Sequence, residues 1–298
     1  MFRNFTEIEN YVLSNKIKKV VALANAQDEY ALSALVYAHK KGIVDAVLIG
    51  DVSKIKELLI KFGENPSDYE YISSDDEKKS AELAVSLVKE KQADIPMKGL
   101  MMTSSFMRAI LDKEKGLIEE DHLLSQASVI ENKNENRFMV FTDCAVNISP
   151  DVNAKIKITQ NAIGIMKKLG VDIPKIAVLS ALEKVNPKIL STVEASEVAQ
   201  SEEFVNKYPI IGPVAMDIAL SKKAAEHKGI YNEVCGQADI FVMPDLDSGN
   251  ICTKSLVFLS HIEMAGVLIG TKTPVIMTSR TDSVRDKYLS ILLAVFGI

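Results

Sequence analysis

Long apolar runs are missing from this chain. No segment approaches the ~18 uncharged apolar residues of a membrane-spanning helix, which argues against an integral membrane protein. The opening segment MFRNFTEIENYVLSN has no apolar core, so no secretory signal peptide is expected there. Cysteine is scarce. Cys144, Cys235 and Cys252 are odd in number and match no zinc spacing, which argues against a disulfide framework. Reduced thiols point to a cytoplasmic protein. Charge of one sign never gathers. The 35 Lys and Arg residues are mixed with 40 Asp and Glu, for a net charge of −5. A partner such as DNA needs a basic face, and no Lys/Arg block supplies one. Repeats with a period of 20–50 residues and low-complexity tracts are absent too. There is no G-x-S-x-G elbow, no G-x-x-x-x-G-K-[ST] loop, and no G-x-G-x-x-G after the first strand-like run. His39, His122, His227 and His261 match no metal or triad spacing.

What is present fits a soluble enzyme-sized protein. Its 298 residues, 47% hydrophobic and 25% charged, suffice for one large or two medium domains. Strand-length apolar runs alternate with helical segments. KKVVALANA (18–26) reads as a buried strand, followed by the helix DEYALSALVYAHKKG, with acids in its first turn, bases in its last and Gly42 as its stop. IVDAVLIGD and VSKIKELLIKFG repeat the pattern, and DDEKKSAELAVSLVKEK is a further acid-started helix. This order predicts a mostly parallel sheet covered by helices on both faces. SVIENKNENRFMVFTDC, with its polar break, predicts an antiparallel excursion. From Asp151 a helix is expected with Val152, Ile156, Ile163 and Met166 on its buried face. IPKIAVLSA, ADIFVMPD and TPVIMTS read as strands and KSLVFLSHIEMAG as an apolar helix that packs His261. The pattern divides into two α/β lobes: 1–147 with 272–298, and 148–271.

Ligands of such sheets sit beyond the carboxyl ends of the strands. Four stretches place polar residues there. In KGLMMTSSFMRAIL, Thr103, Ser104 and Ser105 open a helix and Arg108 lies one turn in; the readings are an anion site with a two-pronged arginine, or an N-cap cluster with a surface arginine. In FTDCAVNISPD, Asp143 and Asn147 shape a turn, with Cys144 a buried small hydrophobe. In VMPDLDSGNICTK, Asp245, Asn250 and Lys254 either hydrogen-bond a large polar ligand or belong to a capped helix start; the loop lacks the ligand count of a calcium site. In TSRTDSVRDKYLSI, Ser283 to Asp286 fits a capping box. The box leaves Ser279 and Arg280 without a structural explanation.

Taken together, GLMMTSSFMRA, TDCAVNISP, GPVAMDIALS, PDLDSGN with Lys254, and SRTDSVRD resemble the phosphate acetyltransferase and phosphate butyryltransferase family, in the family's order over nearly the whole chain. The length and the wording GPVAMDIALS are more similar to the butyryl branch. The resemblance implies a two-lobed, three-layer α/β/α fold like that of isocitrate and isopropylmalate dehydrogenases, with the cleft between the lobes, usually as a homodimer or higher homo-oligomer. It implies reversible acyl transfer, acyl-CoA + phosphate ⇌ CoA + acyl phosphate, by direct thiolate attack in a ternary complex. The partners are then acyl-CoA, CoA and inorganic phosphate, with coenzyme A as substrate and no metal or other cofactor. Ser279, Arg280 and Asp286 keep the family's catalytic spacing. Asp286 would take the proton from the CoA thiol, which is mostly protonated at neutral pH. Ser279 and Arg280 would stabilise charge on the transition state. Thr103, Ser104, Arg108, Asp143, Asp245, Asn250 and Lys254 are the expected phosphate- and substrate-binding residues. Where acetyl members carry small or cysteine residues between arginine and aspartate, this chain has TDSVR, so Asp282 is the alternative base. A short-chain acyl group, butyryl or branched, is expected. The alternatives are acetyl-CoA, or a metal- and NAD-dependent decarboxylating dehydrogenase of the same fold.

Overall fold

Strand after strand in this chain ends on an aspartate that caps the next helix. In the computed structural model, which describes residues 1–118 and 122–298, β1 (Lys19–Ala24) leads to Asp28, the N-cap of α2 (Glu29–Lys40). β2 (Val44–Gly50) leads to Asp51, the N-cap of α3 (Val52–Lys61). β3 (Glu70–Ser73) leads to Asp76, the N-cap of α4 (Glu77–Lys89). Each carboxylate accepts a backbone N–H that the first helical turn leaves without a partner. β4 (Ile95–Lys98) leads to α5 (Thr103–Ile110), whose N-cap residue Met102 supplies no side-chain bond. The strands pair in parallel in the order β3-β2-β1-β4, and Ile276 adds a parallel bridge to Met97.

The chain divides into two compact units. The terminal unit comprises Phe5–His122 and Met264–Ile298, and the middle unit Leu123–Glu263 with Met1–Asn4. The terminal unit holds the four-stranded sheet, α1 (Phe5–Ser14), β10 (Met264–Ile269) and α11 (Val284–Phe296). Residues 286 to 295 of α11 are all buried, as expected of a helix apolar nearly all round. They pack on α1, α2 and β10. The middle unit is built on β5 (Ser125–Asn132), β6 (Arg137–Thr142), β7 (Ile176–Leu179), β8 (Ile210–Val214) and β9 (Ile240–Val242), in the order β5-β6-β9-β7-β8. The β5–β6 hairpin is antiparallel, at the polar break where it was expected, and β9 pairs in parallel with β6 and β7, as β7 does with β8. α6 (Val152–Lys168), α7 (Leu190–Ala199), two short helices, α8 (Met216–Leu220) and α9 (Lys222–His227), and α10 (Leu246–Ser260) complete the unit. No helix of the described residues is long and apolar enough to cross a membrane.

Several features differ from the sequence reading. The units part at 122/123 and 263/264, not at 147/148 and 271/272. β6 pairs with β9, which places the hairpin in the middle unit's sheet. α10 ends at Ser260, where exposed His261 takes the left-handed conformation (φ 52°). The apolar stretch beyond it is β10, so His261 is not packed in a helix. The expected strand TPVIMTS is reduced to single bridges at Val275 and Ile276. On α6 the buried residues are Lys155, Ile158, Thr159, Ala162, Ile163, Ile165 and Met166, and Val152 and Ile156 lie at the margin. Lys155 is accommodated because its ammonium binds the carboxylate of Glu194 at 2.6 Å and the carbonyl of Pro150 at 2.7 Å.

Candidate functional site

In the terminal unit, polar groups gather where β4 and the stretch beside it end. β4 finishes on Lys98, and a tight turn follows. Gly99 N–H donates to the Ala24 carbonyl at 2.8 Å and Leu100 N–H to that of Asn25 at 3.0 Å. Only glycine fits at 99, because a Cβ there would lie 2.4 Å from the Asn25 carbonyl oxygen. Asn25 returns a bond from Nδ2 to the Leu100 carbonyl at 2.8 Å. The turn delivers the chain to α5, where Thr103 and Ser104 are exposed. The helix start is not empty of charge. Glu77 accepts the Ser105 hydroxyl at 2.6 Å and the Met102 N–H at 3.1 Å. These bonds, the hydroxyl's first, hold the Glu77 carboxyl below its usual range, and the charge of Arg280 acts in the same direction. Arg108 is exposed and lines a groove of about 670 Å³ between α4 and α5, with Lys78, Lys79, Glu82, Lys89 and Asp112.

The second half of this cluster is the turn before α11. Ser279, Arg280 and Thr281 are exposed. Asp282 accepts the Ser279 N–H at 2.6 Å, which folds the turn back on itself. Ser283 caps α11 by accepting the Asp286 N–H at 3.0 Å, and its hydroxyl donates to the Asp286 carboxylate at 2.6 Å. The other Asp286 oxygen accepts the Met264 N–H at 3.0 Å. Asp286 is 8% exposed.

Two lysines that the sequence reading passed over lie within the same cluster. Lys98 is 4% exposed and its ammonium donates to the carbonyls of Gly99 at 3.2 Å and Met101 at 3.3 Å. Lys287 is 2% exposed and donates to the Ser279 carbonyl at 2.6 Å and the Thr278 hydroxyl at 3.1 Å. Burial pushes both below the ordinary lysine range. For Lys98 the charge of Lys287 adds to the fall, while Asp28 and Asp282 oppose it. For Lys287, Asp282, Asp28 and Asp286 oppose it. A lysine closing the apolar strand IPMK, and another inside the apolar helix, were the signals available.

The middle unit brings together the other predicted residues. The Asp143 carboxylate is buried and saturated by its own turn: it accepts N–H bonds from Ala145, Val146 and Asn147 at 2.8, 3.0 and 3.2 Å and the Asn147 amide at 2.5 Å. Cys144 is buried beside it, and burial holds its thiol well above its usual pKa. Asn250 Nδ2 reaches the Cys144 carbonyl at 3.4 Å. Asp245 caps α10 in a capping box with Ser248, accepting its N–H at 2.8 Å and its hydroxyl at 2.7 Å. These bonds keep the Asp245 carboxyl below its usual range. Lys254 projects from α10 into solvent.

A model of the phosphate acetyl/butaryl transferase family matches residues 69–295. The chain belongs to this family. It is 40% identical over 296 residues to the phosphate butyryltransferase of Clostridium acetobutylicum, covering 99% of this chain and 98% of that one. It is 33% identical to the phosphate acetyltransferase of Rhizobium meliloti, covering 92% of this chain and 87% of the other. A branched-chain phosphotransacylase from Enterococcus faecalis superposes with a TM-score of 0.83 at 33% identity, over 93% of this chain and 98% of that one. A 4-hydroxythreonine-4-phosphate dehydrogenase from Klebsiella pneumoniae shares the fold alone, at 13% identity and a TM-score of 0.55. Within the phosphate acetyl/butaryl transferase fold of this chain, Ser279, Arg280 and Asp286 belong to one continuous turn and helix start. Thr103 and Ser104 lie beyond the lysine-held turn after β4, and Asp143, Asp245, Asn250 and Lys254 lie in the middle unit.

Proposed function

We propose that the protein is a phosphate acyltransferase that moves a short-chain acyl group, butyryl or branched, between coenzyme A and inorganic phosphate. The observation that carries this reading is the turn before α11. It exposes Ser279 and Arg280 side by side, while Asp282 and Lys287 hold its backbone. A hydroxyl and a guanidinium fixed in this way suit charge that builds on the phosphate or acyl oxygen, because prepaid orientation is what makes such groups effective. In the direction of acyl-CoA synthesis, Asp286 takes the proton of the CoA thiol. The thiolate then attacks the acyl carbon, its bond to the phosphate oxygen breaks, and phosphate leaves. Asp282 is proposed as the tie of the turn through the Ser279 N–H, and Asp286, at the family's spacing from Ser279 and Arg280, as the base.

Thr103, Ser104 and Arg108 in the terminal unit, and Asp143, Asp245, Asn250 and Lys254 in the middle unit, are proposed as substrate-binding residues. Asp143 acts through the turn it shapes, since its own oxygens are occupied. The scheme uses coenzyme A as a substrate and calls for no metal or redox group. The three free cysteines suit the reducing cytoplasm. A homodimer is the proposed assembly. The test is direct: butyryl-CoA with the purified protein should release free thiol only when phosphate is added, with acyl phosphate formed in equal amount. Thiol release without phosphate would make the protein a thioesterase and end this reading. A panel from acetyl to valeryl with isobutyryl then orders the acyl groups. Its eleven methionines suit a pocket that adapts to several shapes.

A further inference from the structure

Lys98 and Lys287 are among the most deeply buried charged side chains of the protein, at 4% and 2% exposure. Burying an ammonium is costly unless hydrogen bonds and opposite charge compensate it. Here the acceptors in all four bonds described are neutral oxygens: the carbonyls of Gly99, Met101 and Ser279 and the hydroxyl of Thr278. The carboxylates that act on the pair are engaged elsewhere. Asp28 caps α2, Asp282 ties the Ser279 N–H, and Asp286 holds the Ser283 hydroxyl and the Met264 N–H. An ammonium has three N–H donors, and two of each are accounted for by these bonds. Each lysine grips a turn that leads into the site. Lys98 fixes Gly99 to Met101 ahead of α5, and Lys287 fixes Thr278 to Ser279 ahead of α11.

We propose that Lys98 and Lys287 are positioning residues for inorganic phosphate: together they clamp the two turns that face it and supply the buried positive charge that draws the anion to Ser279 and Arg280. This rests on the acyltransfer reading for the identity of the anion. It goes beyond that reading in assigning phosphate affinity to two side chains that would not touch the acyl group. Coenzyme A carries its reacting end as a neutral thiol or thioester, so the pair acts on one substrate and not on the other. The groups facing the pair are Asp28 from the α2 cap, Arg280 and Asp282 from the turn, and Asp286 from α11. Both lysines titrate below an ordinary lysine. Their charge is therefore lost as pH rises, at lower pH than for an exposed lysine.

The experiment uses the full chain, with inorganic phosphate as the probe. Lys98→Met and Lys287→Met should each raise KM for phosphate about tenfold or more and leave KM for butyryl-CoA within about twofold. An unchanged phosphate KM, or equal rises in both constants, overturns the proposal, because loosened packing would affect both substrates alike. Calorimetric titration with phosphate needs no turnover. A wild-type protein that binds phosphate, more tightly than the two variants, but never releases thiol would refute the acyltransfer reading and leave the lysine pair standing. Wild-type protein that fails to bind phosphate refutes the pair. Should the methionine variants not fold, the wild type decides: its phosphate affinity should fall between about pH 8 and pH 10, where phosphate keeps its charge and an ordinary lysine still largely keeps its own. A flat affinity across that window overturns the proposal.

Discussion

Asp286 has a hydroxyl on one oxygen and a backbone N–H on the other, whereas Asp282 is tied to the backbone of the residue three before it. The two acids should therefore respond differently to the same isosteric change. Asp286→Asn keeps the helix start but removes the proposed proton acceptor. Turnover with CoA and acyl phosphate should fall by about two to four orders of magnitude, while calorimetry still shows CoA binding. Turnover near the wild-type level would remove Asp286 from its role. Asp282→Asn retains an oxygen that can accept the Ser279 N–H and should cost far less. The Ser-Arg-Asp spacing was readable because three residues of distinct chemistry stand on one short segment. Lys98 and Lys287 were not readable in the same way. A lysine in an apolar context looks like an ordinary surface residue until the fold closes over it, and the groups that satisfy it are backbone carbonyls, which no sequence pattern records.

Among the elements, α10 shows most plainly what local pattern conveys and what it omits. Its start was legible, since Asp245 and Ser248 are capping residues at the expected spacing. Its end was not. The left-handed cap falls on a histidine instead of a glycine, and the apolar run continues unbroken into β10. Apolar runs of this length do not distinguish a buried strand from a buried helix. The position of α10 also depends on a contact distant in sequence. Gly249 rests on the Asp143 turn, where a Cβ would come 2.6 Å from the Asp143 carbonyl oxygen and 2.9 Å from Cys144 Cα. Gly249→Ala must push the helix off that turn. It should destabilise the protein by about 1–3 kcal/mol, seen as a lower urea midpoint. An unchanged midpoint would mean that the helix start shifts freely.

For the whole molecule, the surface that stands out is the outer face of α10. Ile251, Phe258 and Leu259 are 65%, 57% and 78% exposed, and Gly249 and Thr253 alone of the helix are buried. A large apolar face left in water marks a surface for association, and the proposed homodimer would cover it. Light scattering on a sizing column should give twice the chain mass for the wild type and the single mass for a Phe258→Glu, Leu259→Glu double variant. A wild-type monomer, or a variant that still pairs, would remove α10 from the interface. The two-unit α/β organisation was visible in the alternation of apolar runs and capped helices. The seams between units were not, because contacts distant in sequence decide them: the β5–β6 hairpin follows β9, its partner far along the chain, and β10 packs on α11. That division orders events in time. The middle unit is nearly one continuous segment, whereas the terminal unit is assembled from stretches on either side of it. During synthesis from the N-terminus, the middle segment leaves the ribosome able to pack while the terminal unit still lacks α11, the helix that fills its interior. Ser279, Arg280, Asp286 and Lys287 arrive with that same late segment, so the proposed site and the last piece of the core come together in one step.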